Sequence, residues 1–188
     1  MVNINNQQPT LITKRLIIRP YTLQDAPDLQ RLIGERDIAA TMVHVPHPYI
    51  DGMAEEFISK QQESFKKGLM IALAITHRQN GFFIGGISLN NIDKQSELAE
   101  MGYWIGKPYW NQGYGTEAAR AILKYGFEAL GLNRIYANYF KQNLASGRIM
   151  QKIGMKYEGC QRQQFKKWGN FVDLVLYGIL KSEYIEHK

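Results

Sequence analysis

The amino-acid sequence predicts a mixed α/β fold, in which a central, mostly antiparallel sheet is flanked by helices. Three strand-like runs lie between residues 69 and 105, and the Asn80-Gly81 pair between the first two is typical of a tight hairpin. From residue 98 onward the pattern becomes strand–helix–strand–helix–strand–strand. A meander followed by this alternation indicates a mixed α/β sheet.

The first 67 residues are predicted to form one strand and two helices. Residues 14–19 resemble a strand that Pro20 ends. Residues 22–25 resemble a capping sequence before a helix, although Asp stands where Glu or Gln is usual. Residues 41–50 contain two prolines and predict a loop, and residues 51–67 predict a polar helix. The inner face of the first helix is predicted to be Ala26, Leu29, Leu32 and Ile33.

The remaining elements follow from periodicity and from glycine or asparagine at element ends. The meander strands are predicted at Leu69–Thr76, Phe82–Asn90 and about Leu98–Ile105. Residues 117–130 have helical spacing and Gly131 is a natural end for that helix. After a strand at residues 134–140, Asn143 begins a short helix that ends at Gly154. The last predicted elements form a hairpin, Tyr157–Phe165 and Phe171–Leu180.

The loop at residues 106–116 is the feature most informative about function. Gly113 and Gly115 lie two residues apart, where a strand leads into a helix. The first N–H groups of a helix lack intrahelical partners and lie at the positive end of its dipole, and glycine lets the backbone approach a ligand closely. The arrangement therefore predicts a site for the phosphate of a cofactor.

Composition indicates one ordinary globular domain. The chain has 188 residues, 45% of them apolar and 21% charged, with no linker-like stretch and no internal repeat. We expect residues 1–10 to be loose and residues 11–188 to form the domain. No apolar run is long enough to span a bilayer and residues 1–10 lack the pattern of a signal peptide, so the expected location is the cytoplasm, without membrane partners.

Charge and metal-binding residue types give little further direction. The net charge is +6, but the basic residues are scattered and no nucleic-acid-binding motif is present, so a solvated basic surface is the simpler interpretation. The single cysteine, Cys160, is expected to be a small core residue of a strand. The four histidines do not form a ligand motif, and no metal is expected.

Three features in order resemble the GNAT family of acetyl-CoA-dependent N-acetyltransferases. The loop at residues 110–116 is similar to the family's Gln/Arg-x-x-Gly-x-Gly/Ala, the Asn143-x-x-Ser146 start of a helix is similar to another of its motifs, and the order of elements agrees. Residues 13–19, residues 157–160 and the spacing within the last hairpin resemble the Rim-type ribosomal-protein N-terminal acetyltransferases. The resemblance covers residues 11–184 and implies the GNAT fold.

The resemblance also implies how acetyl-CoA, the co-substrate, is held. Backbone N–H groups of the loop would hold the pyrophosphate, and the pantetheine arm would lie like an extra strand between the strands at residues 98–105 and 134–140. Asn143 would contact that arm, although a plain helix cap is an equally natural role for it. The implied cofactor-binding residues are Tyr103, Trp104, Ile105, Trp110, Gln112, Gly113, Tyr114, Gly115, Thr116, Asn138 and Asn143.

The catalytic candidates are one acid and two alternative bases. The resemblance places a serine, Ser146, where it would protonate the leaving thiolate; without it, Ser146 would be an ordinary first-turn residue. The Rim-type enzymes carry a glutamate where this chain has Phe165. Glu100, on the strand entering the cofactor gap, is the best substitute for that base, and Asp173 is the second; a surface carboxylate and a structural carboxylate are their respective alternatives.

The predicted activity is transfer of acetyl from acetyl-CoA to a primary amine, with a protein N-terminus as the first choice of acceptor. A small amine such as a polyamine or an aminoglycoside is the alternative acceptor. A CoA-binding domain without transferase activity is the alternative from another class, because Met150 stands where many relatives carry a tyrosine acid. No nucleic-acid partner is expected, and a homodimer is left open.

Overall fold

The computed structural model describes residues 7–184, and the strands of this part form a single eight-stranded sheet. The spatial order is β1-β2-β3-β4-β5-β6-β8-β7. The only parallel neighbours among them are β5 and β6, so the mixed and mostly antiparallel sheet is confirmed. The strands are β1 Leu11–Ile12, β2 Leu16–Pro20, β3 Ile71–His77, β4 Phe83–Asp93, β5 Leu98–Ile105, β6 Arg134–Phe140, β7 Lys156–Lys167 and β8 Asn170–Leu180.

Helices cover both faces of the sheet. On one face α1 to α3 pack against Ala74 and Trp104, and on the other α4 and α5 pack with Leu73 and Ile105. Leu73 is next to Ala74 in sequence and Trp104 is next to Ile105, and consecutive residues of a strand point to opposite faces of the sheet. The two cores therefore follow from the period of two. The helices are α1 Ala26–Ile33, α2 Arg36–Ala39, α3 Met53–Lys66, α4 Tyr114–Lys124 and α5 Leu144–Lys152. None of the helices described is both long and apolar enough to cross a membrane.

The parallel pair β5–β6 is joined for only three residue pairs. Leu98, Ala99 and Glu100 lie opposite Arg134, Ile135 and Tyr136, and the pairing then stops although both strands continue. The connection between them contains α4, as the crossover between parallel strands requires. The sheet is consequently split between the second halves of β5 and β6.

The hairpin of β7 and β8 turns through two residues. Lys167 pairs with Asn170, and the intervening Trp168 and Gly169 have φ angles of +47° and +85°. Because β7 is an edge strand whose residues face solvent along most of its length, Cys160 is exposed. The expectation that this cysteine belongs to the core is wrong, since a strand pattern does not show which strand lies at the edge.

Most predicted elements are present, with differences at their ends. The short β1 and the four-residue α2 were not predicted, because each has too few residues to show a period. The helix predicted at residues 117–130 begins earlier, at Tyr114, and continues after Lys124 as a π-helical segment, Tyr125–Ala129. Of the segment expected to be loose, residues 1–6 lie outside the described residues, whereas Gln8 is buried and donates a hydrogen bond to the carbonyl oxygen of Gln61.

Candidate active site

A cavity of about 390 Å³ lies where β5 and β6 separate. Its walls come from the ends of both strands, the loop before α4, the first turn of α4, one face of α5, and the α2 region. Nearly every residue of the predicted cofactor set lines it. The lining residues in that set are Tyr103, Trp104, Ile105, Trp110, Gly113, Tyr114, Gly115, Thr116, Asn138 and Asn143.

The cavity opens toward both faces of the sheet. Tyr103 and Trp104 are consecutive on β5, so their side chains point to opposite faces, and both line the cavity. The phenol of Tyr103 reaches α5, whereas Trp104 packs with the core of α1 to α3. The cavity is therefore lined from both faces of the sheet.

The edge of β5 that borders the split offers backbone groups to a ligand. The N–H of Gly106 donates to the carbonyl of Ile84 at 2.8 Å, and hydrogen-bonded pairs alternate along an antiparallel ladder. The backbone groups of Trp104, opposite Gly86, consequently point toward β4, and those of Tyr103 and Ile105 point toward the split. The structure thus gives Trp104 a different place from the predicted one, as a side chain in the cavity wall.

The carbonyl of Ile105 already has a partner. The indole Nε1 of Trp110 donates a hydrogen bond to it at 2.6 Å. Trp110 thereby fixes the start of the loop against the end of β5. The backbone of Tyr103 and the N–H of Ile105 are left as the groups that fit an extended, amide-containing arm lying as an additional strand.

The start of α4 fits a phosphate group. Gly113 is the N-cap residue with φ +81°, and no side chain caps this helix. The carboxylate of Glu117 in the first turn is instead bound by the hydroxyl of Thr13 and by the backbone and guanidinium of Arg15, at 2.6 to 2.8 Å. The first N–H groups of α4 are left facing the cavity, where the positive end of the helix dipole favours an anion.

Glycine is required at the two positions of this loop for different structural reasons. Gly113 adopts a left-handed conformation that other residues adopt only with strain. Gly115 is buried, and a Cβ atom there would lie 2.8 Å from Cδ1 of Ile149 on α5. Close packing of α4 on α5 therefore explains Gly115, whereas the sequence suggested an exposed loop residue chosen for the approach of a phosphate.

Gln112, the remaining member of the predicted set, does not line the cavity. Its carbonyl oxygen accepts a hydrogen bond from the guanidinium of Arg15 at 2.9 Å, and its side-chain amide donates to Pro108 O at 3.1 Å. These contacts stabilise the loop on the side that faces away from the cavity. In the structure, Gln112 supports the loop and does not face the cavity.

Asn143 and Ser146 lie at the start of α5, on the cavity wall. The Oδ1 atom of Asn143 accepts a hydrogen bond from the N–H of Ser146 at 3.3 Å, so Asn143 is a helix N-cap. Both residues line the cavity. The cap and the predicted contact with the pantetheine arm are compatible, because the amide nitrogen of Asn143 is not used by the cap.

A basic face of α5 was missed in the sequence. Arg148 and Lys152 are four residues apart, so they share one side of the helix, and both line the cavity beside the loop. Cations at this place favour a ligand with several phosphate charges. The signal in the sequence was the spacing of four residues between two basic side chains, on the helix that Asn143 begins.

The phenol of Tyr103 is hydrogen-bonded to Ser146. Its oxygen lies 2.9 Å from the backbone carbonyl oxygen of Ser146 and 2.9 Å from the Oγ atom. Burial raises the pKa of Tyr103 well above its ordinary value, against the smaller opposing effect of the hydrogen bond to Ser146. The phenol therefore stays protonated and can donate at all working pH values.

Glu100 does not line the cavity. Its two carboxylate oxygens accept hydrogen bonds from the amide nitrogens of Asn138 at 2.6 Å and of Asn91 at 3.1 Å. Asn138 lines the cavity, so Glu100 reaches the site through that amide. This geometry favours a positioning role for Glu100 over direct removal of a proton from an acceptor.

Asp173 also lies away from the cavity. Its carboxylate accepts from the backbone N–H of Gln163 at 3.0 Å and from the ammonium of Lys141 at 3.2 Å. The hydrogen bond from Gln163 and the Lys141 ammonium lower the pKa of Asp173 below its ordinary range. These contacts place Asp173 in a surface ion pair at the β7–β8 hairpin, and the structure does not bring it together with Ser146.

The wall on the α2 side is neutral. Ile38, Thr41 and Met42 contribute it, together with Trp104. No carboxylate and no imidazole is among the described residues that line the cavity. Sequence reasoning expects residues 36–60 to reach over the site but singles out none of these residues, because α2 and the loop after it have no pattern that points to a ligand.

The sequence model of the family described as "Acetyltransferase (GNAT) domain" matches residues 15–156. The Bacillus subtilis (strain 168) protein "Uncharacterized N-acetyltransferase YoaA" is 33% identical over 176 residues, covering 92% of this chain and 97% of that protein. "Putative ribosomal N-acetyltransferase YdaF" from the same organism is 38% identical over 105 residues, covering 56% of this chain and 57% of YdaF.

A solved structure agrees in fold. Mycobacterium smegmatis RimJ in complex with CoA-disulfide superposes with a TM-score of 0.86, covering 95% of this chain and 90% of RimJ at 20% identity. At that identity the likeness concerns the fold.

Proposed function

This chain belongs to the GNAT family and is an acetyl-CoA-dependent acyltransferase, and we propose that its acceptor is the α-amine of a protein N-terminus. The proposal rests mainly on one observation. The described residues lining the cavity include no carboxylate and no imidazole, the groups that most often deprotonate an acceptor.

An α-amine needs less help from a base than other amines do. Its ordinary pKa is about 8, so roughly one molecule in ten is neutral at pH 7. A lysine side chain has an ordinary pKa of about 10.4, and only about one in a few thousand is neutral at that pH. A cavity without a lining base therefore suits an α-amine better than the amine of lysine or of a polyamine.

The charge of the cavity supports the same acceptor. A polyamine or an aminoglycoside carries several positive charges, which carboxylates would balance. Here the α2 wall is neutral, and the charged lining residues, Arg148 and Lys152, are the cations beside the phosphate loop. The name of YdaF, a partial match to this chain, points to ribosomal protein as an acceptor of that relative.

The residues around the split account for the chemistry. The neutral amine attacks the thioester carbonyl carbon, a C–N bond forms, the C–S bond breaks, and the sulfur leaves as a thiolate that needs a proton. We propose that the Ser146 hydroxyl supplies this proton, because it lines the cavity and because Tyr103 can donate to its Oγ atom while the serine proton turns toward the cavity. The amine loses its proton to a water in the cavity or to solvent, and a proton from solvent restores the Ser146 hydroxyl, so the products are the amide, the free thiol of CoA and the unchanged enzyme.

The test compares amines under identical conditions by following thiol release from acetyl-CoA. One peptide carries a free N-terminal amine and no lysine. A second peptide has a formyl-blocked N-terminus and differs in sequence only by one residue replaced with lysine, and spermidine is the third acceptor. We expect turnover with the first peptide alone at pH 7. Equal or faster turnover with spermidine or with the blocked peptide would contradict the proposal and favour a small-amine or side-chain acceptor.

A further inference from the structure

The tip of the β7–β8 hairpin is tied to the loop that follows α2. The ammonium of Lys167 donates hydrogen bonds to the backbone carbonyl oxygens of Met42 at 2.7 Å and of Val45 at 2.8 Å. These contacts join parts of the chain more than 120 residues apart. Hydrogen bonds from a charged donor are stronger than neutral ones, and this ammonium is partly buried.

The next residue, Trp168, stands in a position that disfavours it. In the two-residue turn it adopts φ +47°, a left-handed conformation in which asparagine or glycine is usual and a bulky side chain is strained. Its ring lies 5.8 Å from that of His47, and the guanidinium carbon of Arg36 lies 5.3 Å from its centre. The tryptophan therefore contacts both α2 and the loop at the expense of turn geometry.

The tied segment forms part of the α2 side of the cavity. Residues 41–49 contain no helix or strand, and Thr41 and Met42 line the cavity. A segment without its own ladder of hydrogen bonds depends on contacts with other elements for its position. Met42, Val45 and Tyr49 pack against the core of α1 to α3, and Lys167 and Trp168 add the contacts that come from the hairpin tip.

We propose that Lys167 and Trp168 are positioning residues, which hold residues 41–45 in the arrangement that binds the acceptor amine. The proposal rests on the function proposed above, because it takes the α2 side as the acceptor side. If the segment were correctly placed only about a tenth of the time, the apparent affinity for the acceptor would fall about tenfold. Affinity for acetyl-CoA, bound by the loop and α5, would not change.

Trp168→Asn separates a positioning role from a structural one. Asn-Gly is the preferred sequence for this two-residue turn, so the variant should be at least as stable as the parent. We expect its KM for the N-terminal peptide to rise about tenfold, with KM for acetyl-CoA unchanged. A variant that kept both KM values would overturn the role of Trp168.

Lys167→Met and the control Lys166→Met test the tether. Both remove one charge from the hairpin tip, but Lys166 lies over the Phe171 ring and is not bonded to the loop. We expect Lys167→Met alone to speed hydrogen exchange of the backbone amides in residues 41–45 in the free protein, and to raise the acceptor KM as Trp168→Asn does.

The exchange measurement needs no acceptor, so it distinguishes two failures. Unchanged exchange in residues 41–45, or equal changes in both lysine variants, would overturn the tether. Faster exchange in Lys167→Met together with a raised KM for spermidine, and no activity on any peptide, would support the tether and reject the N-terminal acceptor.

Discussion

The phenol oxygen of Tyr103 on β5 lies 2.9 Å from the hydroxyl oxygen of Ser146 on α5, beside the split between β5 and β6. The phenol has one proton and two acceptors on Ser146, its carbonyl oxygen and its Oγ atom. When the proton goes to Oγ, the serine hydroxyl is free to donate into the cavity. In that arrangement Tyr103, on a neighbouring strand, sets the direction in which the Ser146 hydroxyl donates.

Ser146→Ala should lower kcat about a hundredfold, the low end for loss of a positioned proton donor. The N-cap bond from the N–H of residue 146 to Asn143 needs no side chain at 146, so the start of α5 should persist. The dissociation constant for CoA and the melting temperature should therefore stay at the parent values. A kcat within twofold of the parent would show that the thiolate takes its proton from water.

Thr116→Glu tests the start of α4 as the phosphate site. Thr116 is the third residue of the helix, where a carboxylate is favourable to the helix dipole, so the stability of the protein should be kept. The same charge would repel a phosphate, and we expect the dissociation constant for CoA to rise tenfold or more, ~1.4 kcal/mol.

Thr116→Gln is the matched control for that variant. Glutamine has almost the same size as glutamate and no charge, so this variant should keep most of the affinity of the parent for CoA. The difference between the two variants should also shrink at high salt, since ions screen the repulsion. If both variants bound CoA as tightly as the parent, the phosphate site would not lie at the start of α4. Gly115→Val is a poorer test, because the added side chain would strike Ile149.

The parts of the site that sequence reasoning found are those marked by local chemistry. Gly113 and Asn143 have conformations or caps that residue type reveals, and both lie on the cavity wall. Ile38 and Lys167 had no such signal, because each acts through a contact with a distant element. Tertiary contacts between elements far apart in sequence decide their roles, and periodicity does not reveal such contacts.

The same distinction explains the bases. Glu100 lies on the strand that enters the split, as expected, but the period of two does not tell that Asn138 of β6 stands between it and the cavity. Asp173 has apolar neighbours in sequence, Val172 and Leu174, but its carboxylate is bonded to Lys141 and to the bulged backbone of β7. Both differences arise from tertiary contacts.

Glu100→Gln measures which role this carboxylate has. If Glu100 holds Asn138, the variant should lose a few-fold in kcat/KM, and the ratio of variant to parent activity should stay flat from pH 6.5 to 9. If Glu100 were the base, the ratio would recover toward pH 9 as the α-amine, with its ordinary pKa near 8, loses its proton unaided. Asp173→Asn serves as the control, and no change in activity is expected from it.

From the ion pair of Arg15 and Glu117 we predict how the free energy of unfolding of the protein depends on pH. Burial raises the pKa of Glu117, but hydrogen bonds from Thr13 and from the backbone and guanidinium of Arg15 outweigh it, so the pKa lies below its ordinary value. A depressed pKa means that the folded state favours the ionised form, and the resulting stabilisation is present above the unfolded-state pKa near 4.3. It is lost as the pH falls through the lower folded-state pKa.

Glu117→Gln should therefore reduce the free energy of unfolding at pH 7 by ~1 to 2 kcal/mol, a modest value because the Arg15 side chain is 39% exposed. Denaturant titrations of both proteins from pH 7 to pH 3 should show the difference shrinking only below about pH 4. A difference that is the same at pH 7 and pH 3 would mean that Glu117 contributes by packing and not by charge.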